Sequence, residues 1–352
     1  MSWTEDDIKA ALKGVQDPDL KQDLVELGMI KAIKSEGANV ELTVQLTTPA
    51  CPLKDQISGE VKAALVKLGA KDVKVNFSAD TSRMQTASDL IPGVRNVVFV
   101  ASGKGGVGKS TVAANLAIAL AESGASVGLL DGDIYGPSMP TMFGIHHQPA
   151  ASEDKRITPH EKFGLKLMSM GFLLEEGQPV IWRGPMLDSA LRQFLGQVEW
   201  GELDYLVVDM PPGTGDVQLS LSRMVPQGVS VIVTTPQDVA LADVQRAIGM
   251  FGTVNIQVLG VIENMSGFVC GHCGEKTDIF GHGAGARAAE KYGITFFGGI
   301  PLTVKVVEAG DGGTPLLKAE PQDPASTALR AASHKVAQQI AIHAASAQPA
   351  NA

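Results

Sequence analysis

Two textures follow one another along the chain. Over the first 80 residues apolar positions alternate or recur at helical spacing, whereas from Asn96 onward they come in near-continuous runs. Thr4 opens a helix with Asp6 and Asp7 in its first turn, where carboxylates complement exposed amides. That helix reaches about Gly14, and Asp17-Pro18-Asp19 breaks the pattern. Met29 to Ser35 and Asn39 to Leu46 read as strands, the second alternating Val40, Leu42, Val44 and Leu46. A helix follows Pro52 to about Leu68, Gly69 ends it, and Val73 to Phe77 is a short strand. Residues 1–80 therefore read as a small α+β domain. Residues 81–94 read as a linker, because DTSRMQTASD carries no apolar period.

The later runs are VVFVAS, SVGLLD, YLVVDM, VSVIVTT and VLGVIENM, each ending in polar or glycine-rich residues and separated by helical patterns. Strands this uniformly apolar belong in a parallel sheet covered on both faces. The fold class is α/β: a doubly wound, mostly parallel core over residues 95–320. Residues 321–352 read as one helix near Ala325 to His343 and a flexible tail.

Composition sharpens this picture. Hydrophobic residues make up 44% and aromatics only 5%, so the core is aliphatic, and the 39 glycines gather at turns. The net charge of −9 argues against a nucleic-acid partner. The acidic start MSWTEDDIKA is neither a secretory signal nor a transit peptide. No apolar run approaches the roughly 18 residues that span a bilayer, so a cytoplasmic protein with no stable membrane association is expected. Three cysteines cannot complete a disulfide framework, and a close pair in such a chain points to metal or redox chemistry.

VVFVASGKGGVGKST is strand, glycine-rich loop and helix, and Gly103 to Ser110 match G-x-x-x-x-G-K-[ST]. Around Val107, the glycines Gly103, Gly105, Gly106 and Gly108 let successive amides point at phosphate oxygens. Lys109 brings positive charge to the β- and γ-phosphates, the Ser110 hydroxyl is a Mg²⁺ ligand, and the helix that continues through Thr111 adds its dipole. Lys104 is not required by the loop. Either it reaches a phosphate in a partner subunit, as an arginine finger does, or it is a solvated surface lysine.

Ligands bind at the carboxyl ends of strands in open α/β sheets, and two acidic strand ends converge there on the loop. LLDGD supplies Asp131 and Asp133, and YLVVD supplies Asp209. Asp209 is the candidate for holding the Mg²⁺ shell, Asp131 for touching it, and Asp133 for positioning the attacking water. A strand-end turn is the plain alternative for each.

Cys270-Gly271-His272-Cys273-Gly274 directly follows a strand and forms a knuckle that grips a metal from two sides. One chain gives two of four ligands, and a twofold axis would supply the rest. Spacing leaves Zn²⁺ and an iron–sulfur cluster both open. Cys51 falls between a strand and a helix N-terminus, as either an accessory transfer thiol or a small buried residue.

KGGVGKS resembles the deviant phosphate-binding loop of the MinD/ParA/nitrogenase-iron-protein group. That resemblance implies a nucleotide-sandwich homodimer in which Lys104 crosses to the partner's nucleotide. More specifically, KGGVGKS, DGDIYGPS, DYLVVDMPPGTGD, ENMSGF followed by CxxC, and GGIPLT with EAGDGGTP together resemble the Mrp/ApbC family of iron–sulfur cluster carriers. The family likeness implies ATP as nucleotide, with Asn264 and Pro301 near adenine, and a labile cluster, [4Fe–4S] foremost, bridged by Cys270 and Cys273 of both subunits. It also implies apo iron–sulfur proteins and cluster scaffolds as partners, and slow, switch-like ATP hydrolysis. The N-terminal domain, with Thr47 to Pro52 as TTPACP, is similar to a small domain of iron–sulfur assembly factors. The alternative is a MinD/ParA-like positioning or regulatory ATPase with a structural zinc at the Cys pair. Its tail would carry a basic amphipathic helix, and this tail has only Arg330 and Lys335 besides histidines.

Overall fold

The computed structural model describes residues 3–18, 21–46, 53–79, 88–173 and 184–346. The chain divides into two compact units, Met1–Arg83 with Ala337–Ala352, and Met84–Val336. Cys51, the rest of Thr47–Pro52, residues 81–87 of the expected linker and residues 347–352 of the expected tail lie outside the described residues.

In the first unit, α1 (Glu5–Leu12) starts with a capping box: the Asp7 amide donates to Thr4 Oγ1 and the Thr4 amide to Asp7 Oδ2. Short β1 (Gln16–Asp17) and β2 (Gln22–Asp23) pair antiparallel. Then β3 (Ile30–Glu36) pairs antiparallel with β4 (Asn39–Leu46), and β5 (Asp72–Ala79) lies parallel to β4 on its other side. The alternation of β4 buries Val40, Leu42, Val44 and Leu46 against Ile57, Val61 and Leu65 of α2 (Lys54–Leu68). Gly69 ends α2 in the left-handed conformation, φ 107°, where a side chain is strained.

The second unit is built on β6 (Val94–Ala101), α3 (Lys109–Glu122), β7 (Val127–Asp131), α4 (Met139–Phe143), β8 (His160–Lys162) and β9 (Leu165–Ser169). It continues with α5 (Gly184–Gly196), β10 (Leu203–Asp209), α6 (Asp216–Met224), β11 (Val229–Thr234), α7 (Ala240–Thr253), β12 (Gln257–Val269) and β13 (Lys276–Thr277). Last come α8 (Ala284–Tyr292), β14 (Thr295–Leu302), α9 (Val304–Asp311), α10 (Leu316–Ala319) and α11 (Pro324–Ser346), the last running on beyond this unit. A nine-stranded sheet runs β13-β12-β11-β6-β10-β7-β9-β8, with β14 also on β12. All its pairings are parallel except β12 with β13 and β8 with β9.

Every residue of β7, β10 and β11 is buried, which is why their sequences read as unbroken apolar runs. The helix α3 is buried almost all round, and its one amide side chain, Asn115, is satisfied: Nδ2 donates to the Thr111 carbonyl and Oδ1 accepts from the Leu317 amide. Phe99 stacks on Phe251 at 6.3 Å between ring centroids, joining β6 to α7. Two central strands, β6 and β10, thus deliver Ser102 and Asp209 to one sheet edge, and β7 delivers Asp131 beside them. Among the described residues no helix is long and apolar enough to cross a membrane.

Candidate functional site

The loop after β6 turns through left-handed glycines at Gly106 and Gly108, both at φ 77°, and releases α3 at Lys109 with no side-chain cap. The first amides of α3 are therefore left for a ligand. Two of the glycines are sterically obligatory. A Cβ at Gly103 would collide with the Asp243 carbonyl, and one at Gly108 with the amide nitrogen of Asn264.

Lys109 Nζ lies 2.5 Å from Asp209 Oδ1 and 3.3 Å from Ser110 Oγ. Lys109 and Asp209 are both buried. Burial pushes the Asp209 carboxyl above its ordinary range, while the Lys109 ammonium pulls against that shift. Asp209 Oδ2 is buried and has no partner among the described residues. A buried carboxylate oxygen without a donor beside an open glycine cradle and a serine hydroxyl fits a hydrated hard cation.

Asp131 is fully buried and its oxygens are engaged. Oδ1 accepts from the Asp133 amide at 3.1 Å; Oδ2 accepts from the Ser138 and Met139 amides at 3.1 and 3.2 Å and from the Ser169 hydroxyl at 2.9 Å. It anchors the turn that carries Asp133. Burial, helped by the Asp209 charge, pushes its carboxyl up to about 7. Asp133 is half-buried, and desolvation raises its carboxyl too, against the pull of Lys109. The neighbouring Tyr135 stands 67% exposed.

Lys104 Nζ lies 3.5 Å from Asp243 Oδ2, and Arg246 pairs with the other oxygen of the same carboxylate. In this chain the second lysine of the loop is thus parked on its own α7. Gln218, 2% exposed, donates to the carbonyls of Pro211 and Pro212 and staples the turn after Asp209. Neither Asp243 nor Gln218 was legible from the motifs.

A cavity of about 480 Å³ adjoins the loop, lined by Gly108, Thr111, Ser138, Asn264, Met265 and Pro301 among others. The structure therefore brings Asn264 and Pro301 to one space with the start of α3. Asn264 Nδ2 donates to the Val107 carbonyl at 2.8 Å, tying β12 to the loop.

Beyond Val269 the chain forms a tight hairpin: Phe268 and Val269 pair with Thr277 and Lys276, the Cys270 amide donates to the Glu275 carbonyl at 2.9 Å, and the Gly274 amide to the Cys270 carbonyl at 2.8 Å. Gly274 takes φ 74° to close the knuckle. Cys270 and Cys273 are free thiols, half-buried and exposed. The backbone N–H of Cys273, then that of His272, hold the Cys270 thiol below its ordinary range. Among the described residues no group of three or more His, Cys, Asp or Glu surrounds a metal position.

The profile of the NUBPL iron-transfer P-loop NTPase family matches residues 93–338, and that of an iron–sulfur cluster assembly protein matches residues 5–77. The chain is 49% identical to an iron–sulfur cluster carrier protein of Deinococcus radiodurans over 98% of both chains. It is 46% identical to the iron–sulfur cluster transfer protein NUBPL of Dictyostelium discoideum, over 73% of this chain and 80% of that one. Among solved structures it is similar to a nucleotide-binding protein of Archaeoglobus fulgidus in complex with ADP, with a TM-score of 0.56 and 41% identity over 63% of this chain and 87% of that one. The cell division ATPase MinD of Pyrococcus furiosus shares the fold, at a TM-score of 0.53 and 19% identity over 68% and 98% of the two chains.

Proposed function

The chain belongs to the NUBPL iron-transfer P-loop NTPase family, and from that premise we propose that it is a cytoplasmic, ATP-hydrolysing carrier that holds an iron–sulfur cluster between two subunits and passes it to apo-proteins. The observation that carries this reading is the direct tie between two sites: β12 touches the phosphate loop through Asn264 and, at its end, runs into the hairpin of Cys270 and Cys273.

In the nucleotide-bound state the amides of residues 103–111 cradle the phosphates, and Lys109 leaves Asp209 for the β- and γ-oxygens. Ser110 and Asp209 would hold Mg²⁺, which would supply positive charge against the phosphates. Asp133 orients the attacking water from the turn that Asp131 fixes. Lys104, released from Asp243, reaches the nucleotide of the partner subunit. Asn264 and Pro301 flank the adenine in the cavity. Turnover is slow, because a carrier needs dwell time in each state more than throughput.

The cluster is cargo. Two exposed knuckles, one per subunit, offer four thiolates for a [4Fe–4S] cluster, and a seam at the surface leaves it open to exchange with the thiolates of a recipient or a scaffold. The experiment is anaerobic transfer: the loaded dimer is mixed with an apo [4Fe–4S] enzyme in the presence of a membrane-impermeant iron chelator. Recovery of the recipient's activity faster than from free iron and sulfide supports carriage, and recovery no faster than from the free ions contradicts it.

A further inference from the structure

Adjacent residues of β12 serve different neighbours. Asn264 holds the phosphate loop and lines the cavity, as described. Glu263 is 2% exposed and grips the other side. Its Oε1 accepts from the Ser266 hydroxyl at 2.8 Å and from the Gly283 amide at 3.3 Å, and its Oε2 accepts from the Gly285 amide at 2.8 Å. Ser266 is where the chain departs toward the cysteine hairpin, and Gly283 is where it returns. One carboxylate therefore closes the base of the loop that carries Cys270 and Cys273.

The chemistry of that closure is unusual. Among the described residues no Lys, Arg or His pairs with Glu263, so its donors are one hydroxyl and two amides of the loop and helix it joins. A Ser or Asn at the start of α8 would cap those amides at a smaller desolvation cost than a buried carboxylate. A short polar cap would not tie the helix to β12, which the longer Glu263 side chain does. Gly285 makes the grip tight, since a Cβ there would stand 2.9 Å from that of Glu263.

Directly after these two residues β12 is irregular. Its register against β14 shifts between Asn264 and Phe268, Met265 is a non-glycine residue at φ 58°, and Gly267 sits at φ 80°. Bulged, left-handed segments of this kind have discrete alternatives and do not deform smoothly. Met265 lines the cavity and Ser266 joins the carboxylate, so this bulge has the nucleotide cavity on one side and the hairpin clamp on the other.

We propose that Glu263 is a positioning residue that transmits nucleotide occupancy of the cavity to the Cys270–Cys273 hairpin through the bulge at Asn264–Gly267. The proposal rests on the reading that the cavity takes ATP and the Cys pair takes the cargo.

The test uses the reduced, full-length apo-protein, so that failure of the cluster reading leaves it readable. Alkylation rates of Cys270 and Cys273 by iodoacetamide are followed by mass spectrometry with and without ATP and Mg²⁺. In the wild type ATP changes the rate by about fivefold or more, the lower end of ordinary coupling between sites. In Glu263→Gln, which keeps the shape and loses one acceptor, the ratio falls to less than about twofold while ATP affinity stays within about twofold of wild type. Ser266→Ala, which leaves the carboxylate and the helix start in place, lowers the ratio in the same direction. It decides the matter if Glu263→Gln fails to fold or to bind ATP. The proposal is overturned if the deciding variant keeps the wild-type ratio, if it shifts both rates equally and so keeps that ratio, or if the wild type shows no nucleotide effect. Absence of iron binding in the wild type strikes the cluster reading alone.

Discussion

Lys109 Nζ lies 2.5 Å from Asp209 Oδ1, both buried, so the two groups proposed to serve a nucleotide pair with each other in the nucleotide-free chain. Removing one member leaves the other buried and unpaired, which typically costs about 3–5 kcal/mol. Lys109→Ala is therefore expected to lose nucleotide binding and stability together. The urea midpoint of the apo-protein and calorimetric titration with ATP read the two losses separately. A variant that loses affinity with an unchanged midpoint would show that the pair contributes nothing to the apo fold.

Asp131 gives a pH dependence with a definite sign. Its native carboxyl titrates at about 7, above the ordinary 3.8, so between these values the folded chain binds more protons than the unfolded chain. The contribution of Asp131 to stability then falls as pH rises through that window, by at most about 1.4 kcal/mol per pH unit. Urea midpoints of nucleotide-free protein from pH about 4 to about 7 check this. In Asp131→Asn this component of the slope disappears.

Lys104 has an intrachain partner in Asp243 at 3.5 Å and a proposed destination in the partner subunit. Lys104→Ala is expected to bind ATP within about threefold of wild type and to lose ATP-dependent dimerisation and hydrolysis, since it removes the proposed trans contact and an intrachain pair with Asp243 but leaves Lys109 and the glycine cradle in place. Light scattering and phosphate release measure both. Retention of ATP-driven dimers would make Lys104 a surface lysine.

Gly108 combines φ 77° with contact to Asn264, so Gly108→Ala is strained and crowded at once. It should lower nucleotide affinity by about tenfold or more, as for other misplaced binding loops, while thermal melting of the folded protein persists. Fluorescent-nucleotide titration reports the first and calorimetry the second.

Much of this architecture was legible in the chain. The bounds of β4 follow directly from its alternation, and the phosphate loop, the strand-end aspartates and the cysteine knuckle each sit where their spacing put them on the fold. What was not legible depends on contacts between distant segments. Asp243 meets Lys104 because the start of α7 passes against Gly103, an approach that no local spacing encodes. The run VLGVIENM shows a strand to Met265, whereas β12 continues through a bulge to Val269, where left-handed residues interrupt the alternation. Glu263 did leave a trace, as an acid at the end of an apolar run, but its partners Gly283 and Gly285 arrive only after the hairpin has folded back.

The central claim is tested most directly by anaerobic reconstitution with iron and sulfide followed by metal analysis and visible absorption. Zinc is d¹⁰ and colourless, whereas a thiolate-bound iron cluster is not. The account expects a brown dimer holding about four iron and four sulfide, lost in Cys270→Ala with ATP binding intact. A colourless dimer with one tightly held zinc would contradict it, leaving the nucleotide site in place and making the cysteine pair a structural staple.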